Sequence, residues 1–390
     1  MKFGFDAGLE EFRKEVRAFF REEMAPARVE GHADALDLTG FDEAFERALL
    51  RRCGERGYLG LCVPEQYGGA ARPPRFKAVF DFEAAYADAP AIDTPITLVG
   101  SQMLTYGTDP QKEFFLPRMV RGEGLMCIAY TEPEAGSDLS GIKSTARREG
   151  DGFVLDGVKS LVTAAHKSDH ACVVVRTDQD AAPRRGMSMF LLSLDTPGVR
   201  VIRRATANRW TLGELHFDGA RLPKDALLGE WNRGWSQMAA ALLSEQSGMA
   251  HLGWATRNLE RLDSLCRDAR HIVTPKAVVR QRVAQLHCDL DVGVRFAKRV
   301  MFQQDRGELE AAAASMTKVY ATELLQRIAQ VASELLGPFG SLREGSEWAP
   351  LGGHFAYDVI ERIHPTVSIG ANEIRRNSIA QLGLGLPRNS

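Results

Sequence analysis

The segment CIAYTEPEAGSDLSGIKSTA, residues 127–146, holds the residue types best suited to contact a ligand. Glycine lets a backbone approach a bound molecule closely, and successive backbone N–H groups can donate to it together with the hydroxyls of Thr131 and Ser137. This density of glycine and small hydroxyl residues suits a planar polar ligand. A polar loop between two domains would have the same composition, and the residue types alone leave both interpretations open.

Other common site patterns are missing from the sequence. It has no GxGxxG and no GxxxxGK[ST], which Rossmann and P-loop sites require, and no GxSxG elbow for a nucleophilic serine. The 6 cysteines are scattered singly, without CxxC or Cys/His spacing. We therefore expect reduced thiols, no disulfide frame and no metal site. A dinucleotide, if one binds, must be held in another way.

Composition and charge limit the class of protein. The 390 residues are 44% hydrophobic and 26% charged, with a net charge of -2, which is typical of a globular protein without affinity for nucleic acid. The first residues, MKFGFDAGLEEFRKEV, contain no continuous apolar stretch, so no signal peptide is predicted. No apolar run reaches the ~18 residues of a membrane span. We expect a cytoplasmic protein.

The elements that must position the 127–146 segment follow from hydrophobic periodicity. Leu9, Phe12, Val16 and Phe20 recur at helical spacing, and Pro110 begins another helix. Short β-prone runs such as HACVVVR and GMSMFLLSL follow at a spacing typical of a small antiparallel barrel or sandwich. Four long helices then predict a bundle. These bundle helices are 233–266, 276–304, 309–336 and 371–383.

This order predicts a mainly α fold with a central β domain. We expect an N-terminal α-helical domain over 1–124, a middle β domain over 125–230 and a C-terminal four-helix bundle over 231–390. The chemistry-bearing segment falls at the first of these junctions.

TEPEAGSD resembles the TEPxAGSD signature of the acyl-CoA dehydrogenase family. Other segments are similar to that family in the same order, and the likeness covers almost the whole chain. They are GLCVPEQYGG, GTDPQKEFFLPRMVRGE, DGFVLDGVKSLVT, DTPGV, RLPKDALLGE, WNRGW and GANEIRRN. The family's helical, β and four-helix-bundle domains agree with the fold predicted from periodicity.

The resemblance implies that the chain binds FAD. It places the flavin ring beside residues 128–137, with Thr131 and Ser137 as hydrogen-bonding side chains. Leu161 stands where many members have tryptophan, and Ala371 lacks a hydroxyl that is usual in the loop over the FAD phosphates and ribose. The full implied set is Ile128, Tyr130, Thr131, Gly136, Ser137, Leu161, Thr163, Arg270, Gly370, Ala371, Asn372 and Glu373.

The general base departs from the commonest family pattern. Many members have glutamate immediately before the phosphate loop, where this chain has Ile369, which cannot accept a proton. A subset places the glutamate on the first long bundle helix, and Glu245 in ALLSEQSGMAHLG matches that position. In a continuous helix Glu245 would share an apolar face with Met238, Leu242 and Met249. A glutamate that forms an ion pair with a neighbouring helix is the alternative interpretation.

The resemblance also implies the substrate contacts and the reaction. Ser137, Leu242, Gln246, Ile369 and Gly370 would bind an acyl thioester, with the Ile369 backbone N–H donating to its carbonyl oxygen. Glu245 would remove the proton at Cα while hydride leaves Cβ for the flavin. The expected function is acyl-CoA dehydrogenation in fatty acid or secondary lipid metabolism, with the thioester on coenzyme A or on an acyl carrier protein.

Segments that relatives use to hold the FAD of a facing subunit are altered. ARHIVT keeps Arg270 but loses the following Phe-Gly, and ELLGPFGS has Glu334 in place of glutamine. These changes fit a homotetramer with other contacts, or a heterotetramer with a second family member. An electron-transfer flavoprotein is the expected electron acceptor. The alternatives are a catalytically degenerate subunit of a heteromeric enzyme, or a flavin monooxygenase or oxidase on this fold.

Overall fold

The computed structural model describes residues 6–25, 43–90, 96–207, 211–244 and 248–387. The helices are α1 Ala7–Met24, α2 Glu43–Glu55, α3 Pro74–Tyr86, α4 Ser101–Tyr106, α5 Asp109–Val120, α6 Gly234–Ser244, α7 Met249–Asp268, α8 Lys276–Asp305, α9 Ala311–Leu336, α10 His354–Glu361, α11 His364–Val367 and α12 Asn372–Ser378. The strands are β1 Met126–Ala129, β2 Thr145–Glu149, β3 Gly152–Thr163, β4 His170–Arg176, β5 Met187–Ser193, β6 Val199–Ala205, β7 Thr211–Leu222 and β8 Leu227–Leu228.

These elements form two compact units. The helical unit draws its described residues from Met1–Asp34, Pro73–Pro90 and Gln246–Ser390. The sheet unit draws its described residues from Ala35–Arg72 and Ala91–Glu245. The predicted order of helical, β and helical regions is confirmed. Because α1 and α3 belong with the C-terminal helices, the units do not follow the predicted domain limits, which remain a prediction.

Local sequence signals explain where the N-terminal helices begin. Asp6 caps α1 by accepting from the Leu9 N–H at 2.8 Å. At α5, Thr108 and Gln111 form a reciprocal capping box, with N–H to side-chain distances of 3.0 and 3.4 Å, and Pro110 lies in the first turn. Both α1 and α5 lie at the positions that the sequence predicts.

The sheet unit is built on one sheet among its described residues. Its strand order is β6-β7-β3-β2-β4-β5-β8, with β1 beside β4. Most pairs are antiparallel, as predicted, but β4 pairs in parallel with both β1 and β2. The core of this unit includes Phe153, Leu155, Val173 and Phe190, each less than 5% exposed. The continuous apolar run in β4 is buried on both faces, which explains why HACVVVR does not alternate.

The helical unit packs α7, α8 and α9 around a shared core. Leu252, Leu262, Leu325 and Ile328 are fully buried there. Within the described ranges, no helix is both long and apolar enough to cross a membrane.

The first bundle helix was wrongly predicted to be continuous over 233–266. Gly248 has a φ of 73°, outside the helical region, and α7 begins at Met249. Met238 on α6 and Met249 on α7 are both buried, but they belong to separate helices. The shared apolar face inferred from their spacing to Glu245 therefore does not exist as one helical stripe. Glu245 itself lies outside the described residues.

Candidate active site

The TEPEAGSD segment leaves β1 and forms a tight turn in the sheet unit. Glu132 and Ala135 exchange backbone hydrogen bonds of 2.9 and 3.1 Å across it. The carbonyl oxygen of Thr131 accepts from the Ser160 N–H at 2.9 Å, which joins the turn to the end of β3. The structure therefore brings together the two sheet-unit segments that the resemblance assigned to the flavin ring.

A buried ion pair holds this turn. The Lys159 ammonium, with its side chain 0% exposed, donates to Glu132 Oε1 at 2.7 Å and to the Tyr130 carbonyl oxygen at 3.1 Å. Glu132 also accepts from the backbone N–H groups of Lys143 at 2.6 Å and Ser144 at 3.0 Å. The carboxylate therefore has both oxygens hydrogen-bonded, as a buried charge requires.

Burial sets the protonation of this pair. Burial lowers the pKa of Lys159 to about 8, against the attraction of Glu132. Burial also acts to raise the pKa of Glu132, but the charge of Lys159 and the N–H donors hold it below its usual value. Both groups are charged at neutral pH, and the turn is fixed by an ionised pair.

The end of β3 carries a β-bulge that exposes two of the predicted residues. Lys159 pairs with Leu215 and Val162 with Gly213, so β3 has one residue more than β7 across this interval. Leu161 lies there with a φ of 54° and is 66% exposed, while Val162 is buried. Thr163 is exposed on the same side of the strand as Leu161. An exposed leucine with left-handed backbone is uncommon, and such strain concentrates at functional sites.

The remaining sheet-unit candidates divide between core and surface. The Tyr130 hydroxyl is buried, where it donates to Gln102 Oε1 at 3.1 Å and accepts from Gln102 Nε2 at 2.9 Å. Gly136 and Ser137 are exposed, and a Cβ at Gly136 would come no closer than 4.0 Å to Thr131. Packing within the unit does not require glycine there, which fits a ligand that approaches the backbone.

The helical unit positions the second set of candidates on a turn before α12. Ile369 and Gly370 have successive positive φ values of 52° and 86°. Ala371 and Asn372 are buried, whereas Glu373 is exposed. The Asn372 amide is bonded within the unit, accepting from the Lys318 ammonium at 2.8 Å and donating to Thr322 at 3.1 Å. A ligand at this turn would therefore meet main-chain groups and exposed side chains.

The two residues noted for a facing subunit are paired with neighbours. Arg270 forms two hydrogen bonds of 2.7 and 2.8 Å with Asp268. Glu334 forms a salt bridge with Arg282, so an arginine lies against the acidic group that departs from the family pattern. The side chains of Leu242, Glu245 and Gln246 are outside the described part of the chain, and their assignments stay predictions.

Sequence reasoning missed the charged residues that hold these turns. Glu132 and Lys159 support the first turn, and Lys318 and Arg375 support the second. One signal was available for Lys318, because it continues a helical stripe with Ala314, Ala321 and Leu325, all fully buried. A lysine on an apolar stripe indicates a buried cation, but its partners are distant in sequence.

Models of a single protein family match three consecutive parts of the chain. They are described as the N-terminal, middle and C-terminal domains of acyl-CoA dehydrogenase, and they match residues 7–123, 127–220 and 232–383. Together they span nearly the whole sequence in the family's order.

Relatives extend over the full length of the chain. Acyl-CoA dehydrogenase FadE26 of Mycobacterium tuberculosis is 30% identical and aligns with 100% of this chain and 99% of its own. The solved structure of the Tcur3481-Tcur3483 steroid ACAD is similar with a TM-score of 0.91 and 29% identity, covering 100% of both chains. The ChsE4-ChsE5 complex from Mycobacterium tuberculosis has a TM-score of 0.87 and 28% identity, again covering 100% of both chains. The chain therefore belongs to the acyl-CoA dehydrogenase family, whose members are flavoprotein oxidoreductases.

Proposed function

We propose that the chain is an FAD-dependent dehydrogenase that introduces a double bond between Cα and Cβ of an acyl thioester. The observation that carries this proposal is the bulged end of β3, which exposes Leu161 and Thr163 beside the Thr131–Ser137 turn. FAD, when bound, would supply the acceptor for the hydride that leaves Cβ. The exposed small and hydroxyl side chains of this surface fit a flavin ring, and an ionised pair already fixes its backbone.

Glu245 is the proposed general base, which takes the proton from Cα. Ile369 occupies the alternative family position and cannot accept a proton, so the chain needs its carboxylate elsewhere. The backbone N–H of Ile369 survives this substitution and is proposed to donate to the thioester oxygen. Donors fixed in advance at a developing oxyanion stabilise the transition state more than mobile donors do.

The site residues follow from these roles. Thr131, Ser137 and Thr163 would hydrogen-bond to the cofactor, with Ile128, Tyr130, Gly136 and Leu161 forming the rest of that surface. Gly370, Ala371, Asn372 and Glu373 would contact its phosphate and ribose portion. Leu242, Gln246, Ser137 and Gly370 would bind the acyl thioester. Arg270 would serve the cofactor of a facing subunit.

The proposed assembly is a tetramer, made of four copies or of two copies with a second family member. A tetramer is typical of the family, and the similar ChsE4-ChsE5 structure is a complex of two proteins. Light scattering of the chain alone, and after co-expression with a second family member, decides between these two forms. An active flavin-loaded monomer would contradict both.

Measurements on the purified protein test the reaction. Purified protein should be yellow and release FAD on denaturation, and the colour should bleach with one class in a panel of straight-chain, branched and steroid-derived acyl-CoA. The last class is included because a similar structure is named a steroid ACAD. A colourless protein that takes up no FAD, alone or with a second family member, removes the basis of the proposal. The same preparation is used to measure whether an electron-transfer flavoprotein accepts the electrons. It is also used to compare turnover of the acyl group on coenzyme A with turnover on a carrier protein.

The decisive variant is Glu245→Gln, which keeps the size and hydrogen bonding of the side chain but removes the proton acceptor. We expect kcat to fall by about two to four orders of magnitude, with FAD content and thermal stability near wild type. Glu308→Gln, at an exposed glutamate, is the matched control and should leave kcat unchanged. Ile369→Glu in the Glu245→Gln background should restore part of the turnover. Wild-type turnover in Glu245→Gln would show that another group is the base.

A further inference from the structure

The backbone at Ile369 is strained. Its φ of 52° is in the left-handed region, where a β-branched side chain crowds the backbone, and Gly370 continues the turn with a φ of 86°. The Ile369 side chain is 40% exposed, so burial of that side chain does not account for the conformation. Strain of this kind persists when the surroundings fix the backbone more strongly than the residue resists.

Lys318 provides the first part of that restraint. It projects from α9, is 4% exposed and donates to the Gly370 carbonyl oxygen at 3.0 Å. The same ammonium donates to Asn372 Oδ1 at 2.8 Å and reaches the Thr366 carbonyl oxygen at 3.4 Å. One cation therefore binds oxygen atoms before and after Ile369, and ties both ends of the turn to a long buried helix.

Arg375 provides the second part from the opposite direction along the chain. Its Nη2 donates to the Ile369 carbonyl oxygen at 2.7 Å, and the residue is 7% exposed. A Cβ at Gly370 would lie 2.8 Å from Arg375 Nε, so the guanidinium lies directly against the glycine backbone. A larger residue at position 370 would displace the Arg375 guanidinium.

The charge of Arg375 is not neutralised by a carboxylate in a salt bridge within the described residues. Its Nε is buried without a hydrogen-bond partner, again among the residues described. Burial lowers the pKa of Arg375. A buried guanidinium with an unpaired donor lowers the free energy of unfolding. Like the positive φ of Ile369, it indicates that this turn is kept although it destabilises the fold.

We propose that Lys318 and Arg375 are positioning residues that hold the Ile369–Gly370 backbone in its strained turn. The proposal rests on the proposed function in one respect: the restrained turn carries the Ile369 N–H assigned to the thioester oxygen. A donor fixed before the reaction needs no reorganisation in the transition state, so the restraint acts on kcat and leaves KM nearly unchanged.

A double-mutant cycle between Arg375 and Ile369 tests this role. Arg375→Gln in the wild-type background should lower kcat by about 10- to 100-fold, less than the about 10²- to 10³-fold loss of a whole oxyanion donor, with KM changed less than about twofold. Glycine adopts positive φ readily, so in the Ile369→Gly background the same substitution should cost less than about threefold. Equal losses in both backgrounds would overturn the proposal and show that Arg375 contacts the ligand.

A second measurement needs neither flavin nor substrate. Hydrogen exchange of the full chain, read on peptides covering 366–374, should accelerate at the turn in Arg375→Gln and in Lys318→Gln. Arg375→Lys should restore part of the protection, whereas Arg299→Gln, at an exposed arginine of α8, should leave the turn unchanged. If neither Arg375→Gln nor Lys318→Gln alters this exchange, the proposal is wrong. A chain that shows the exchange effects but binds no FAD would refute the proposed function and leave the restraint intact.

Discussion

Each turn assigned to the cofactor is bound by a buried lysine, but the two lysines have different partners. In the sheet unit, Lys159 binds the Glu132 carboxylate and the Tyr130 carbonyl oxygen. In the helical unit, Lys318 binds two carbonyl oxygens and the amide oxygen of Asn372. Burial lowers the pKa of both lysines to about 8.

The strained residues beside these lysines are also alike. Leu161 and Ile369 are both exposed aliphatic residues with φ near 50°, at 54° and 52°. Both turns therefore contain an aliphatic residue with left-handed backbone, but the charged groups that bind the two turns differ. In the sheet unit, Lys159 neutralises a buried carboxylate. In the helical unit, Lys318 donates hydrogen bonds to neutral oxygen atoms. The difference predicts how strongly each turn depends on its lysine.

The largest effect is expected for Lys159→Met. It leaves Glu132 buried and charged without its cation, and breaking a buried ion pair from one side costs about 3–5 kcal/mol. Urea titration followed by circular dichroism measures the loss. The double variant Lys159→Met/Glu132→Gln removes the stranded charge and should recover most of the stability. If the double variant is as unstable as the single one, the ion pair is not the reason for the loss.

Lys318→Met should cost less than Lys159→Met. Loss of the Lys318 ammonium leaves polar oxygen atoms without a hydrogen-bond donor but leaves no buried opposite charge. The expected decrease in the free energy of unfolding is about 1–3 kcal/mol. The same titration compares the two variants directly. A greater loss for Lys318→Met would show that the neutral oxygen cage contributes more than the ion pair, and would reverse the comparison.

The pH dependence of the Lys318→Met effect has a definite sign. The pKa of Lys318 is about 8 when folded, below its ordinary value of 10.5. Between these values the unfolded chain binds more protons than the folded chain, so the lysine's contribution to the free energy of unfolding rises with pH across this interval. Below the folded pKa both states are protonated, and the contribution stays constant at its lowest value. The stability difference between wild type and Lys318→Met should therefore grow from about pH 7.5 to about pH 10. A constant difference would mean that Lys318 is not depressed in pKa.

The smallest effect is expected at Leu161. Replacement by glycine removes the left-handed strain, and we expect a gain of about 1 kcal/mol after the entropy of glycine in the unfolded chain is subtracted. Leu161→Ala keeps the strain and serves as the control. Because Leu161 is 66% exposed, neither variant loses much packing. Thermal unfolding without added FAD gives the comparison, and equal midpoints for the two variants would exclude strain at this residue.

Much of the fold and the family could be predicted because their signals are local. Helical spacing in α1, the capping residues of α5 and the TEPEAGSD motif depend on residues close together in sequence. Where a local signal failed, a single backbone conformation was responsible. Gly248 has a positive φ and interrupts the predicted first bundle helix. Glycine also occurs within continuous helices, so its presence in a helical pattern does not predict an interruption.

The order of helical and β regions, the family and the residue types available at each turn all follow from the amino-acid sequence. Which charged residues fix those turns depends on how the chain packs. Glu132 lies 27 residues from Lys159, and Lys318 lies 54 residues from Asn372. Lysine is ordinarily exposed, so Lys159 in its strand pattern predicts solvent contact, and the apolar stripe that indicates burial of Lys318 does not identify the oxygen atoms that bind it. Packing brings these partners together and makes burial of the charge tolerable, and periodicity contains no information about that pairing.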